Sequence, residues 1–172
     1  MGEKRRVVFL VGASGVGKTA VAQVLEARPP WAGNTHYFDT IGVPSAEEME
    51  SVFGGGEEWQ LWATRQWVNS LAERDAPLHL IEGQTRPSFI NEAAEDCPDL
   101  EFLIVLLDCN PEVRRHRLTE LRQQPELLTR DMENWAVYLA GQAHALGLPV
   151  IDTSQLDIEA VAHEIEARVG IA

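Results

Sequence analysis

Gly12-Ala13-Ser14-Gly15-Val16-Gly17-Lys18-Thr19, GASGVGKT, decides how the rest of the chain is read. Directly before it runs VVFLV, residues 7–11, an apolar stretch suited to a strand buried on both faces of a parallel sheet. Directly after it comes AVAQVLEA, which predicts a helix from Gly17 to about Ala27, closed by Pro29 and Pro30. Strand, glycine turn and helix in this order are the context that the pattern GxxxxGK[ST] needs to be more than a chance match. Each residue type has a mechanical reason. Glycines let the backbone curl until its amide hydrogens converge on an anion, and the helix behind adds its positive end. Lys18 is expected to reach the outer phosphates of a nucleoside triphosphate and the Thr19 hydroxyl to ligate magnesium, in a site running from Gly12 to Ala20.

Outward from this turn, strands and helices alternate. THYF, residues 35–38, predicts a second strand finishing at Asp39, and PLHLIE and EFLIVLLD predict a third and a fourth, ending at Glu82 and Asp108. GLPVID is the fifth. Between the second and third strands, Ser45 and Glu48 form a capping box and Gly54, Gly55 and Gly56 separate two helices. Trp59, Trp62 and Trp67 with Leu61 and Leu71 make an aromatic stripe on the second of these, better read as core than as the lining of a cleft. Further helices are expected over 111–123 and 130–146, around the break QQPELL, and over 157–169. Five short apolar strands alternating with helices indicate an α/β fold, a parallel five-stranded sheet of the P-loop NTPase type covered on both faces. With no repeat or linker in 172 residues, one domain is expected over 1–172.

Composition removes several functional classes. A net charge of -13 argues against a duplex nucleic-acid partner, because affinity for a phosphate backbone rests on lysine and arginine displacing counterions. No apolar run is long enough to span a membrane, and MGEKRR leads only into a short strand-like stretch, so a cytoplasmic protein is expected. Cys97 and Cys109 read as reduced thiols, and the five histidines show no metal-ligand spacing. Only two lysines occur, Lys4 and Lys18, so a phosphate site must draw its charge from amides, a metal ion and arginines. Five of the twelve arginines, at 114, 115, 117, 122 and 130, fall between Pro111 and Arg130. Such a segment suits a flap that neutralises a phosphoryl group in transfer and excludes water on closing. A GTPase is disfavoured: DTIG at 39–42 matches DxxG, but no lysine after position 18 exists to supply an NKxD segment. The chain is also short for a ring-forming ATPase with its lid domain.

GASGVGKT, YFDT, IEGQTR, LLDCNPEVRRHRL and VIDTSQLDIEAV together resemble, in order and over nearly the whole chain, the small P-loop kinases that include adenylate, shikimate, gluconate and adenylylsulfate kinases. That resemblance implies ATP as donor, with GTP left open, magnesium, a lid over about 111–130 and a helical acceptor-binding insertion over about 40–75. It places Arg117 near adenine, Arg122 and Arg130 over the phosphates, and Thr153 and Ser154 beside the base. IEGQTRP is similar to the DGFPR turn of adenylate kinases, with Glu82 in place of the aspartate and Arg86 in place of the phosphate-gripping arginine. The longer carboxylate leaves Glu82 open between magnesium and the acceptor.

The acceptor class turns on Asp39, at a strand's carboxyl end where open parallel sheets hold ligands. A hydroxyl acceptor has a proton to lose, and an aspartate orients it and takes that proton. A nucleoside monophosphate needs arginines instead, and residues 40–75 offer only Arg65 and Arg74. The expected catalytic set is Lys18, Asp39, Arg122 and Arg130, with Asp39, Glu82 and Arg86 at the acceptor and Thr19, Asp39 and Glu82 toward magnesium. A small hydroxylated acceptor is expected, with a nucleoside monophosphate as alternative and a nucleotide-dependent switch as a third reading.

Overall fold

A computed structural model of the chain describes residues 4–171. Its strands are β1 (Arg5–Val11), β2 (Thr35–Tyr37), β3 (Leu78–Gly83), β4 (Leu100–Asp108) and β5 (Val150–Asp152). Its helices are α1 (Lys18–Glu26), α2 (Ala46–Glu48), α3 (Gly56–Ala72), α4 (Pro87–Ala94), α5 (Pro111–His116), α6 (Arg130–Leu146) and α7 (Ile158–Val169). All strand pairs are parallel, in the order β2-β3-β1-β4-β5. β1 is central, which explains its unbroken apolar run: successive side chains must enter opposite layers. Val7, Phe9 and Val11 pack with α3, α4 and α6 through Ala63, Ile90 and Leu139. Val8 and Leu10 pack with α1 and α7 through Leu25, Val161 and Ile165. The expected five-stranded sheet with helices on both faces is therefore present, and its parallel strands bring their carboxyl ends to one edge.

Two local departures from the sequence pattern matter for that edge. The chain leaves β2 at Tyr37, and Phe38–Ile41 forms a 3-10 turn in place of a longer strand. Phe38 is buried there, with ring centroids 6.3 Å from both Phe9 and Trp59, which seats the turn and leaves Asp39 exposed beside it. The helix expected over 111–123 is regular only to His116 and then widens into a π turn over Arg117–Leu121, closed by the Arg122 N–H on the Arg117 carbonyl at 2.9 Å. Gln123, at φ 51, ends it. In the tryptophan stripe, Trp59 is core and Trp67 donates its indole N–H to the Phe38 carbonyl at 2.9 Å, while Trp62 is exposed. Among the described residues no helix is long and apolar enough to cross a membrane.

Under α3 lies a buried histidine pair, with His36 Nε2 3.3 Å from His79 Nδ1 and the His36 ring 5.8 Å from that of Trp67. Burial, then Arg74 and His79, lower the His36 pKa from 6.5 to about 4, and burial, Arg74 and Arg5 also lower that of His79. Folded values below unfolded ones mean that the unfolded chain binds more protons as pH falls through 6.5, so stability is lost toward acid. His36 alone should account for about 2 kcal/mol between pH 8 and pH 5. Urea unfolding at several pH values should show the midpoint falling across this range, with a shallower fall in His36→Gln; equal slopes would refute the assignment.

Candidate active site

The glycine-rich turn from Gly12 to Thr19 joins β1 to α1 and is held against β4 and α5. A Cβ on Gly12 would lie 2.6 Å from the Leu107 carbonyl oxygen, so only glycine allows the turn to pass this close to β4. Gly15 has φ 85, and a Cβ there would meet Arg114 Cγ at 3.1 Å. Lys18 is buried and donates from Nζ to the Ala13 carbonyl at 3.2 Å. Burial lowers its pKa from 10.5 to about 8, against the opposing pull of Glu82 and Asp39. Glu82, at the end of β3, is also buried, which raises its pKa, while Lys18 and the Thr19 hydroxyl work in the other direction. Thr19 and Asp39 are exposed. One buried cation, one buried carboxylate and one exposed carboxylate thus share the mouth of the turn.

Beside the turn opens a cavity of about 410 Å³. Val21, Leu156, Ile158 and Val161 supply apolar wall; Arg117, Arg122 and Thr153 line it too.

No family model matches the sequence, and no curated protein matches it. Solved structures do. A sugar kinase from Janibacter sp. HTCC2649 is 18% identical, with TM-score 0.70 over 98% of this chain and 96% of that one. A shikimate kinase from Acinetobacter baumannii, solved in complex with shikimate, is 18% identical at TM-score 0.63 over 98% and 95%. A gluconokinase from Sinorhizobium meliloti 1021 is 17% identical at TM-score 0.58 over 98% and 95%. The fold is that of the P-loop kinases.

Within this P-loop kinase fold the expected site residues are only partly brought together. Gly12 to Ala20, Asp39 and Glu82 gather at the carboxyl edge. Arg117 donates to Thr153 Oγ1 at 2.8 Å and to the Thr153 carbonyl at 2.6 Å, which fixes both beside the cavity. Ser154 does not line the cavity; its hydroxyl accepts from the Asn110 N–H at 2.8 Å and braces the start of α5. Arg122 lines the cavity, close enough to oppose the charge of Lys18. Arg130 does not; at the start of α6, it opens onto a separate surface hollow with Pro111, Glu112 and Arg115. Arg86 is wrapped. Its guanidinium lies 5.3 Å from the ring centroids of Phe89 and Trp135 and 5.4 Å from that of Tyr138, pairs with Glu57 at 3.2 Å and donates to Gln60 Oε1 at 2.7 Å.

Two residues that the sequence did not single out, Gln84 and Gln60, and one that it placed only within the arginine cluster, Arg114, belong to this assembly. Gln84 donates from Nε2 to Ser14 Oγ at 3.0 Å, and Gln60 donates to the Gln84 carbonyl at 3.1 Å, linking α3 to the glycine-rich turn. Arg114 is buried beneath the turn and donates to the Ser14 carbonyl at 2.8 Å. Gln84 lies inside the IEGQTR segment, but no sequence signal separates Arg114 from its arginine neighbours. The donor set fits magnesium, which takes one or two carboxylates and keeps several waters and phosphate oxygens among its other ligands. Asp39 and Glu82 offer the carboxylates and Thr19 a hydroxyl oxygen, and no cluster of three or more His, Cys, Asp or Glu occurs among the described residues.

Proposed function

We propose that this chain is an ATP-dependent kinase that transfers the terminal phosphoryl group to a hydroxyl of a small molecule. The turn from Gly12 to Thr19 holds the triphosphate, the neighbouring cavity takes adenine, and Lys18 and Arg122 neutralise charge on the oxygens in transfer. Arg130 joins them only on movement of the segment from 111 to 130, the lid of the single domain we assign. Thr19, Glu82 and Asp39 would hold magnesium, which would neutralise the phosphate oxygens. Asp39 orients the acceptor hydroxyl and accepts its proton.

The observation that carries the choice of acceptor is the state of the three arginines nearest the acceptor side. Arg86 is capped by aromatic rings and paired with Glu57. Arg65 is paired with Glu92, and Arg74 acts on His36 and His79 near the amino ends of β2 and β3, away from the phosphate edge. A nucleoside monophosphate would need a cation for its own phosphate; Arg86 and Arg65 have partners of their own and Arg74 lies away from the phosphate edge, which favours an acceptor without a phosphate. Incubation with magnesium-ATP and panels of nucleoside monophosphates, sugars and other hydroxylated metabolites tests the assignment by ADP release. Phosphorylation of a hydroxyl is expected. Robust conversion of a monophosphate to a diphosphate would overturn it, and slow hydrolysis indifferent to every panel would favour a nucleotide-dependent switch.

A further inference from the structure

Arg114 and Arg117 stand one helical turn apart and meet three consecutive carbonyls of the phosphate-binding turn. Arg114 Nη1 donates to the Ser14 carbonyl at 2.8 Å, and Arg117 Nη1 to those of Gly15 and Val16 at 3.2 and 3.3 Å. In a planar trans peptide the C=O and the following N–H point in opposite directions. Pinning these carbonyls toward α5 therefore turns the amides of Gly15, Val16 and Gly17 away from it. Among the described residues no protein acceptor meets those three amides. They are aligned donors awaiting an anion.

Arg114 carries a second, independent feature. Its side chain is only 2% exposed, and its nearest carboxylates are loose: Asp108 Oδ1 lies 3.5 Å from Nη2 and Glu133 Oε1 3.6 Å from Nε. Nε makes no hydrogen bond. Both carboxylates are themselves partly exposed, at 34% and 41%, so water weakens their hold on the buried charge. A buried guanidinium ordinarily has close, hydrogen-bonded counter-charges. Here part of that compensation is lacking, directly behind the turn that holds the phosphates.

We propose that Arg114 is a positioning residue of the phosphate site: through the Ser14 carbonyl it presets the amides for a polyphosphate, whose charge completes the compensation of its own. This rests on the assignment of the turn as a nucleotide site and adds a role for a residue outside the cavity. A mere structural tie between α5 and the turn would affect folding and all ligands alike. The positioning role acts on the polyphosphate alone.

Calorimetric titrations of the whole chain with inorganic tripolyphosphate, ATP and adenosine separate the two. Arg114→Met should bind tripolyphosphate and ATP about 30-fold more weakly, a loss of the size expected for a charge-assisted contact, with adenosine within about twofold of the parent. Arg114→Lys should recover only part of the loss, since it keeps the charge without the fork. Glu133→Gln removes a loose counter-charge and should bind tripolyphosphate about threefold more tightly, a gain that should disappear when Arg114 is already methionine, whereas a general change of field would persist there. Equal weakening of adenosine and tripolyphosphate in Arg114→Met, or unchanged tripolyphosphate binding in Glu133→Gln, would overturn the proposal. If Arg114→Met does not fold, Arg114→Lys and Glu133→Gln decide it by the same criteria. Failure of the parent itself to bind ATP or tripolyphosphate would remove the nucleotide site as well, before any variant is compared.

Discussion

Replacing Lys18 by methionine is expected to cut phosphoryl transfer severely while leaving the unliganded protein more stable than the parent. Both effects come from the same burial. An ammonium withdrawn from water is held at a cost, seen in the lowering of its pKa from 10.5 to about 8, and Glu82 and Asp39 offset only part of it. Methionine fills similar volume without the charge and removes that cost, and buried Glu82, which loses the cation opposing its burial, is left to its neutral form rather than as an unpaired carboxylate. With nucleotide bound the balance reverses, because the triphosphate supplies the counter-charge that the empty turn lacks. Losing a cation aimed at the transferring group should lower turnover by about 10³-fold. The sign of the pH dependence follows from the lowered value: between about 8 and 10.5 the unfolded chain binds the additional proton, so the unliganded parent gains stability as pH rises through that window. Lys18→Met should lack this gain. Thermal unfolding with and without magnesium-ATP would check it, and a variant less stable than the parent without nucleotide would contradict the account.

The glycine turn from Gly12 to Thr19 was legible because its requirements are local. Gly12 must lack a side chain to pass the Leu107 carbonyl, Gly15 must take φ 85, and Lys18 and Thr19 follow at fixed positions in the first turn of a helix. The sheet was legible for a related reason: a strand buried on both faces has no polar side, and VVFLV and EFLIVLLD display that directly. What could not be read was the partner of each arginine. Arg114, Arg115 and Arg117 are near neighbours in sequence, yet Arg114 is buried under the turn, Arg115 is exposed and Arg117 is bound to Thr153. One to three residues along α5 and the π turn behind it separate these fates, and the rotation that sorts them is set by packing across the sheet. Arg86 shows the same limit. Its cage needs Phe89 from α4, Trp135 and Tyr138 from α6 and Glu57 from α3, three elements whose convergence only the fold supplies.

Asp39→Asn should lower turnover by about 10²–10³-fold, the range of a lost general base, while the KM for ATP stays within about threefold. The assignment rests on the contrast between the two carboxylates near Lys18. Glu82 is buried, faces Lys18 and the Thr19 hydroxyl, and its burial favours the neutral form. Asp39 sits one residue along the 3-10 turn that Phe38 anchors, exposed to an incoming molecule and fixed by the packing beneath it. A carboxylate in that position can meet a hydroxyl; one enclosed with a cation and a threonine cannot do so without giving up those partners. Asparagine keeps the size and can still accept a hydrogen bond, so orientation survives and proton acceptance does not. If Asp39 serves magnesium alone, the substitution should instead raise the magnesium concentration needed for half-maximal rate and leave the saturated rate close to that of the parent. Measuring the rate against magnesium at saturating ATP and acceptor therefore distinguishes the two roles, and a saturated rate equal to the parent's would remove Asp39 from the proton-transfer step.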